Sequence, residues 1–150
     1  MIVILIYDYS HKLISLAAIV LAAMKTILII EDNQEIRENT AELLGINSYL
    51  VLTAENGYTG FAMAKAKLPD LILCDMMMPE TDGQKFLELA RADEDVKRIP
   101  LIFFSAGTAS IAVQKKLANA ANAFIKKPFL EEELLHTIQN VLNKYPENAA

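Results

Sequence analysis

From Met24 onward, five short apolar runs alternate with five segments of helical periodicity, and this alternation restricts the fold more than any other feature. The runs are "TILII" (Thr26–Ile30), "YLVLTA" (Tyr49–Ala54), "LILC" (Leu71–Cys74), "LIFF" (Leu101–Phe104) and "AFI" (Ala123–Ile125). The spacing predicts helices over about Asn33–Leu44, stopped at Gly45, and Tyr58–Lys67, ended by Pro69. Further helices are expected over Gln84–Ala92, about Ala109–Asn119 and Leu130–Lys144. Four of the runs are continuously apolar, as parallel strands covered on both faces must be. The order implies an α/β domain with helices on both sides of a parallel sheet. "YLVLTA", which carries Thr53, is the expected edge strand. The 150 residues suffice for one such domain around one core.

The first 23 residues, "MIVILIYDYSHKLISLAAIVLAA", stand outside this pattern. Leu13–Ala23 is too short to span a bilayer, and the whole stretch would carry Asp8 and Lys12 near its middle. No positive region precedes the first apolar run, which is the wrong order for a signal peptide. We read residues 1–23 as an extension that the fold does not need, with Met24-Lys25 as a natural start. A membrane anchor or a dimerising apolar helix is the second reading.

Net charge is −5, and the densest basic clusters are the pairs Lys115-Lys116 and Lys126-Lys127. Direct DNA binding, which needs a basic stripe, is therefore not expected. The single cysteine, Cys74, lies inside an apolar run and reads as a small buried hydrophobe. His11 and His136 have no partners at metal-ligand spacing. Met76 to Met78 reads as packing rather than as a metal or redox patch.

In open parallel sheets, sites lie outside the carboxyl ends of the strands. The first run ends at Glu31 and Asp32, the third at Asp75, the fourth at Ser105, and the fifth at Lys126, Lys127 and Pro128. Three carboxylates, a hydroxyl and a lysine thus gather on one rim. Convergent carboxylates need a counter-charge to stay ionised. A lysine offsets one, and a hard divalent cation such as Mg²⁺ offsets the rest. A carboxylate beside such a cation, a lysine and a hydroxyl can act as a phosphoryl acceptor. Taken singly, Asp75 could be a strand-end aspartate, Ser105 a helix cap, and Phe124 simple core; Asp82 before Gly83 reads as a turn residue or cap.

Four motifs in order, "ILIIEDN", "LILCDMMMPETDG", "LIFFSA" and "FIKKPF", resemble the receiver domain of bacterial response regulators. The resemblance covers Met24 to about Tyr145, leaving 1–23 as an extension and 146–150 as a tail. It implies a (βα)5 doubly wound five-stranded parallel sheet with the flavodoxin-like strand order 2-1-3-4-5. It also implies that Asp75 is the phosphoacceptor, and that Glu31, Asp32, Asp75 and the backbone carbonyl of Met77 hold Mg²⁺, with Mn²⁺ the other cation that fits. Ser105 would hydrogen-bond a phosphoryl oxygen, and Lys127, the lysine before proline, would pair with the phosphoryl group across a cis Lys127–Pro128 bond. Phe124 matches the switch aromatic. Two positions depart from the common pattern: Phe124 stands where tyrosine is frequent, and Asn122 where glycine is frequent.

The resemblance further implies two-component signalling from the cytoplasm. A sensor histidine kinase or histidine phosphotransfer protein would donate the phosphoryl group. An output protein would dock on about Ala109–Lys144, as in single-domain regulators, since no output domain follows Lys144. Slow loss of phosphate from Asp75 is expected, without a metabolic enzyme's turnover. A haloacid-dehalogenase-type phosphatase would want an acid at the position of Met77 and is disfavoured. A receiver-like binding module that is never phosphorylated is the alternative reading. A dinucleotide-binding domain is weaker still, because no glycine-rich fingerprint follows the first strand.

Overall fold

A computed structural model describes residues 2–78, 83–106, 111, 112, 115 and 119–146, apart from the side chains of 2–8 and 84. Five parallel strands form the sheet: β1 (Thr26–Ile30), β2 (Leu50–Ala54), β3 (Leu71–Asp75), β4 (Leu101–Ser105) and β5 (Ala123–Lys126). Their spatial order is β2-β1-β3-β4-β5, which is the flavodoxin-like order. The strand with Thr53 is indeed an edge, and "LILC" lies at the centre. The described helices are α1 (Ile2–Ala23), α2 (Gln34–Ile46), α3 (Gly57–Lys67), α4 (Gly83–Ala92) and α5 (Glu131–Lys144). The helix expected over about Ala109–Asn119 lies largely outside the described residues, of which Ile111, Ala112 and Lys115 are helical.

Two cores flank the sheet, because successive residues of each strand face opposite sides. Leu28, Ile30, Ile72, Cys74 and Phe103 pack with Ala64 of α3 and with Phe86 and Ala90 of α4. Ile27, Ile29, Leu73, Ile102 and Phe104 pack with Leu44 of α2 and with Leu134, Ile138 and Val141 of α5. All five residues of β3 are buried, as are all five of β4. Helix α3 lies directly on β1: a Cβ at Gly60 would come within 2.5 Å of Ile30 Cδ1. None of the described α1 side chains enters either core, and Tyr9–Ala23 is exposed throughout. Among the described residues no helix is long and apolar enough to cross a membrane.

Side chains set the helix starts. The Asn33 Oδ1 accepts from the Ile36 amide at 3.0 Å, and the Asn56 Oδ1 accepts from the Thr59 amide at 2.9 Å. Three glutamates, Glu131 to Glu133, occupy the first turn of α5, where the helix dipole favours negative charge.

The ends differ from expectation in two ways. Helix α2 runs through Gly45 to Ile46 rather than stopping at the glycine. A Cβ at Gly45 would meet nothing, and the reversal occurs later, at Ser48 with φ 67°, after Asn47 Nδ2 donates to the Leu43 carbonyl at 2.9 Å. In addition, β3, β4 and β5 each include the polar residue expected just beyond them. Asp75 pairs in register with Phe104, and Ser105 with Lys126. Ladder pairing therefore holds these residues as firmly as the apolar ones before them.

Leu68 caps α3 in the left-handed region, φ 45° and ψ 63°, directly before Pro69. That conformation costs a residue with a Cβ about 1–2 kcal/mol, and a following proline disfavours it further. Leu68 is 55% exposed, so removing its side chain loses little packing. Leu68→Gly is expected to raise stability by about 1 kcal/mol, read as a higher urea midpoint at unchanged m-value.

Candidate functional site

Strand β1 leaves the sheet next to β3, and the first two polar side chains diverge. Glu31 is 1% exposed, whereas Asp32 faces solvent. The Glu31 amide donates to the Ala54 carbonyl at 3.0 Å, continuing the ladder with β2. Its Oε1 accepts from the Asn33 amide at 3.1 Å, so the residue that caps α2 also fixes this carboxylate. Arg37 Nη1 donates to the carbonyls of Glu31 and Asp32 at 2.7 and 3.3 Å, bracing the same turn from the next helical turn.

Asp75, the last residue of β3, is 5% exposed. Its Oδ1 accepts from the Met77 amide at 3.0 Å. The Met77 side chain itself is half-exposed. Across the sheet the Lys127 amide donates to the Ser105 carbonyl at 2.7 Å, and Lys127–Pro128 is cis. The Lys127 ammonium donates to Glu31 Oε2 at 2.6 Å and to Asp75 Oδ2 at 3.2 Å. One cation thus bridges two buried carboxylates. Carboxylate oxygens of Glu31, Asp32 and Asp75 all lie within 4.8 Å of one another.

Burial raises the cost of ionising Glu31, and the nearby Asp75 charge adds to it. The Lys127 bond and the Asn33 amide offset only part of this, so the Glu31 carboxyl is pushed up to about 7. The folded protein then binds a proton more tightly than the unfolded chain, whose glutamate titrates near 4.5. In the metal-free protein this contribution to stability is full below pH 4.5 and is lost as pH rises to 7.

The five rim residues Glu31, Asp32, Asp75, Ser105 and Lys127 are brought to one end of the sheet. Of the two lysines, Lys127 reaches the acids while Lys126 is exposed. Ser105 is fully buried. Phe124 pairs in register with Phe103 and is partly buried against the core of α3 and α4. Asp82, expected as a turn residue or cap, lies outside the described residues.

Three contributors escape a reading of strand ends: Asn33, Arg37 and Gly83. A Cβ at Gly83 would lie 2.8 Å from Phe103 Cε1, and 2.9 Å from both the Asp75 carbonyl oxygen and Met76 Cα. The Gly83 amide donates to the Met76 carbonyl at 3.1 Å, so the start of α4 sits against the backbone that carries Asp75. The "DG" pair in the sequence was the available signal, but it is read as a turn, not as a packing contact.

Two outcomes follow. Gly83→Ala is expected to cost about 1–3 kcal/mol in urea unfolding, since backbone rather than a flexible side chain must yield. In chelator-containing buffer, wild-type stability is expected to fall between pH 5 and 7 more than that of Glu31→Gln; parallel curves would mean that Glu31 does not titrate in this range.

The family model of the response regulator receiver domain matches residues 27–139. The chain is 36% identical over 116 residues to hybrid signal transduction histidine kinase D of Dictyostelium discoideum, covering 77% of this chain and 7% of that one. It spans about half the length, or much less, of the curated relatives it matches first. The structure of the Vibrio cholerae chemotaxis protein CheY4 superposes with a TM-score of 0.73 at 32% identity, covering 80% of this chain and all of that one. The receiver domain of a Pseudomonas aeruginosa sensor histidine kinase, solved with a magnesium ion coordinated in its active-site cleft, superposes with a TM-score of 0.74 at 27% identity, covering 81% and 99%. With the fold, the strand order and these matches in agreement, the chain belongs to the response regulator receiver domain family.

Proposed function

We propose that Asp75 accepts a phosphoryl group from a phosphohistidine, on a sensor histidine kinase or a histidine phosphotransfer protein, in a Mg²⁺-dependent reaction. The observation that carries this reading is the single Lys127 ammonium shared by Glu31 and Asp75, with Asp32 completing a cluster of oxygen donors. The all-oxygen donor set fits a hard cation, and burial together with the Asp75 charge pushes the Glu31 carboxyl up to about 7. Glu31, Asp32 and Asp75 would hold Mg²⁺, with the Met77 carbonyl as a further donor. Bound there, the cation supplies electrostatic stabilisation of phosphoryl oxygens.

The remaining work falls to the chain's own groups. Asp75 Oδ1 is held by the Met77 amide, which leaves Oδ2, now on Lys127, to form the new bond to phosphorus. As the phosphorus–nitrogen bond of the donor breaks, Lys127 exchanges Asp75 for a phosphoryl oxygen while keeping Glu31. The Ser105 hydroxyl takes a second oxygen and Phe124 responds as the switch aromatic. The new charge biases the β4–β5 edge, and a partner protein reads it through about Ala109–Lys144. Slow hydrolysis of the acyl phosphate resets the switch, so the domain acts as a timer in the cytoplasm rather than as a metabolic enzyme.

Purified protein incubated with Mg²⁺ and acetyl phosphate is expected to gain one phosphate by intact mass. The adduct should vanish in Asp75→Ala and in chelator, and form on the order of 100-fold more slowly in Lys127→Ala. An adduct that persists in Asp75→Ala would overturn the assignment. So would a wild type that binds Mg²⁺ yet takes phosphate neither from acetyl phosphate nor from a cognate kinase. Because Glu31 must lose its proton to bind the cation, Mg²⁺ affinity is expected to weaken as pH drops below about 7. Calorimetry in buffers of different ionisation enthalpy would detect the released proton.

A further inference from the structure

The Lys127 ammonium has three hydrogens to place, and the two carboxylates take two directions. On another side it lies over the ring of Phe104, 4.5 Å from the centroid. Phe104 is wholly buried, and its place is set by the sheet itself: it pairs with Asp75 on β3 and with Ile125 on β5, and its carbonyl accepts from the Met76 amide at 3.0 Å. The Phe129 ring stands nearly perpendicular to it, 84° between planes at 6.2 Å between centroids. Phe104 therefore offers a fixed aromatic face, located by the same strand pairing that locates Asp75.

We propose that Phe104 is a positioning residue: its ring face holds the Lys127 ammonium above the Asp75 carboxylate by a cation–π interaction. An aliphatic side chain would fill the same space in the core of α2 and α5, but would present no negative ring face. The Lys127 side chain is only 15% exposed, so water screens the attraction weakly. The ring also differs from the carboxylates in the use it permits. It attracts the ammonium without a directional hydrogen bond, so Lys127 can move from Asp75 Oδ2 to an incoming anionic oxygen while the ring contact persists. That last step rests on the phosphoryl-acceptor reading; the contact itself does not.

The test replaces Phe104 in the full chain with 4-fluoro-, 3,5-difluoro- and 3,4,5-trifluorophenylalanine, and separately with leucine. Fluorine nearly preserves ring shape while draining negative potential from its face. Proton NMR should show the Lys127 ε-methylene shifted upfield by the ring in wild type, and unshifted in Phe104→Leu. Across the fluorinated series the order parameter of that methylene should fall stepwise, with every variant still folded and unfolding in a single cooperative urea transition. The rate of phosphate uptake from acetyl phosphate at saturating Mg²⁺ should fall in the same order, by roughly 2- to 30-fold in total. An unshifted methylene in wild type, or an order parameter flat across the series, would overturn the proposal. A rate flat across the series while the order parameter falls would overturn the positioning role. If wild type takes up no phosphate, the proposed function fails, and the two NMR readouts still decide whether the ring holds the lysine.

Discussion

Two buried carboxylates, Glu31 and Asp75, share one ammonium, and the arrangement of the rim follows from the cost of keeping them there. Leaving either acid without a partner inside a protein costs several kcal/mol, far more than any surface ion pair returns. The fold meets that cost with fixed groups. The Asn33 amide and Lys127 serve Glu31, and the Met77 amide and Lys127 serve Asp75. Burial still pushes the Glu31 carboxyl above its ordinary value, so these partners offset its desolvation only in part. A divalent cation among these oxygens would offset the remaining cost, which links the energetics of the fold to its proposed chemistry.

The parallel sheet is what makes such a cluster affordable to build. Glu31, Asp75 and Lys127 come from distant parts of the chain, yet each follows or ends a strand whose register is locked by its neighbours. β3 and β4 are buried along their whole length, so a shift of either would bury charge or expose core. The supporting residues are tied to the same elements. Gly83 lets α4 approach the Asp75 backbone, and Arg37 reaches back from α2 to the turn that carries Glu31 and Asp32.

Much of this was legible in the residues, for a physical reason. A strand covered on both faces stays apolar until its exit residue, so the point where "LILC" meets Asp75, or "LIFF" meets Ser105, marks a rim position directly. Other features are properties of the packed sheet. "LIFF" does not say which phenylalanine faces which core; only the alternation along β4 sends Phe103 toward α3 and α4, and Phe104 toward α5 and Lys127. Lys126 and Lys127 are equivalent as charges, and it was the match to the family motif that singled out the second. Gly45 misled because glycine often ends a helix, whereas here the reversal falls to Asn47 and Ser48. The two roles of Asn33, capping a helix and donating to Glu31, cannot be separated in one dimension.

The most direct measurement of the central claim is the chemical identity of the phosphorylated residue. Borohydride cleaves an acyl phosphate reductively and leaves homoserine in place of aspartate. After reaction with a phosphodonor and Mg²⁺, reduction and peptide sequencing by mass spectrometry should find homoserine at position 75, with Asp32 and Glu31 unchanged. Homoserine at Asp32, or phosphate surviving on a hydroxyl such as Ser105, would contradict the account.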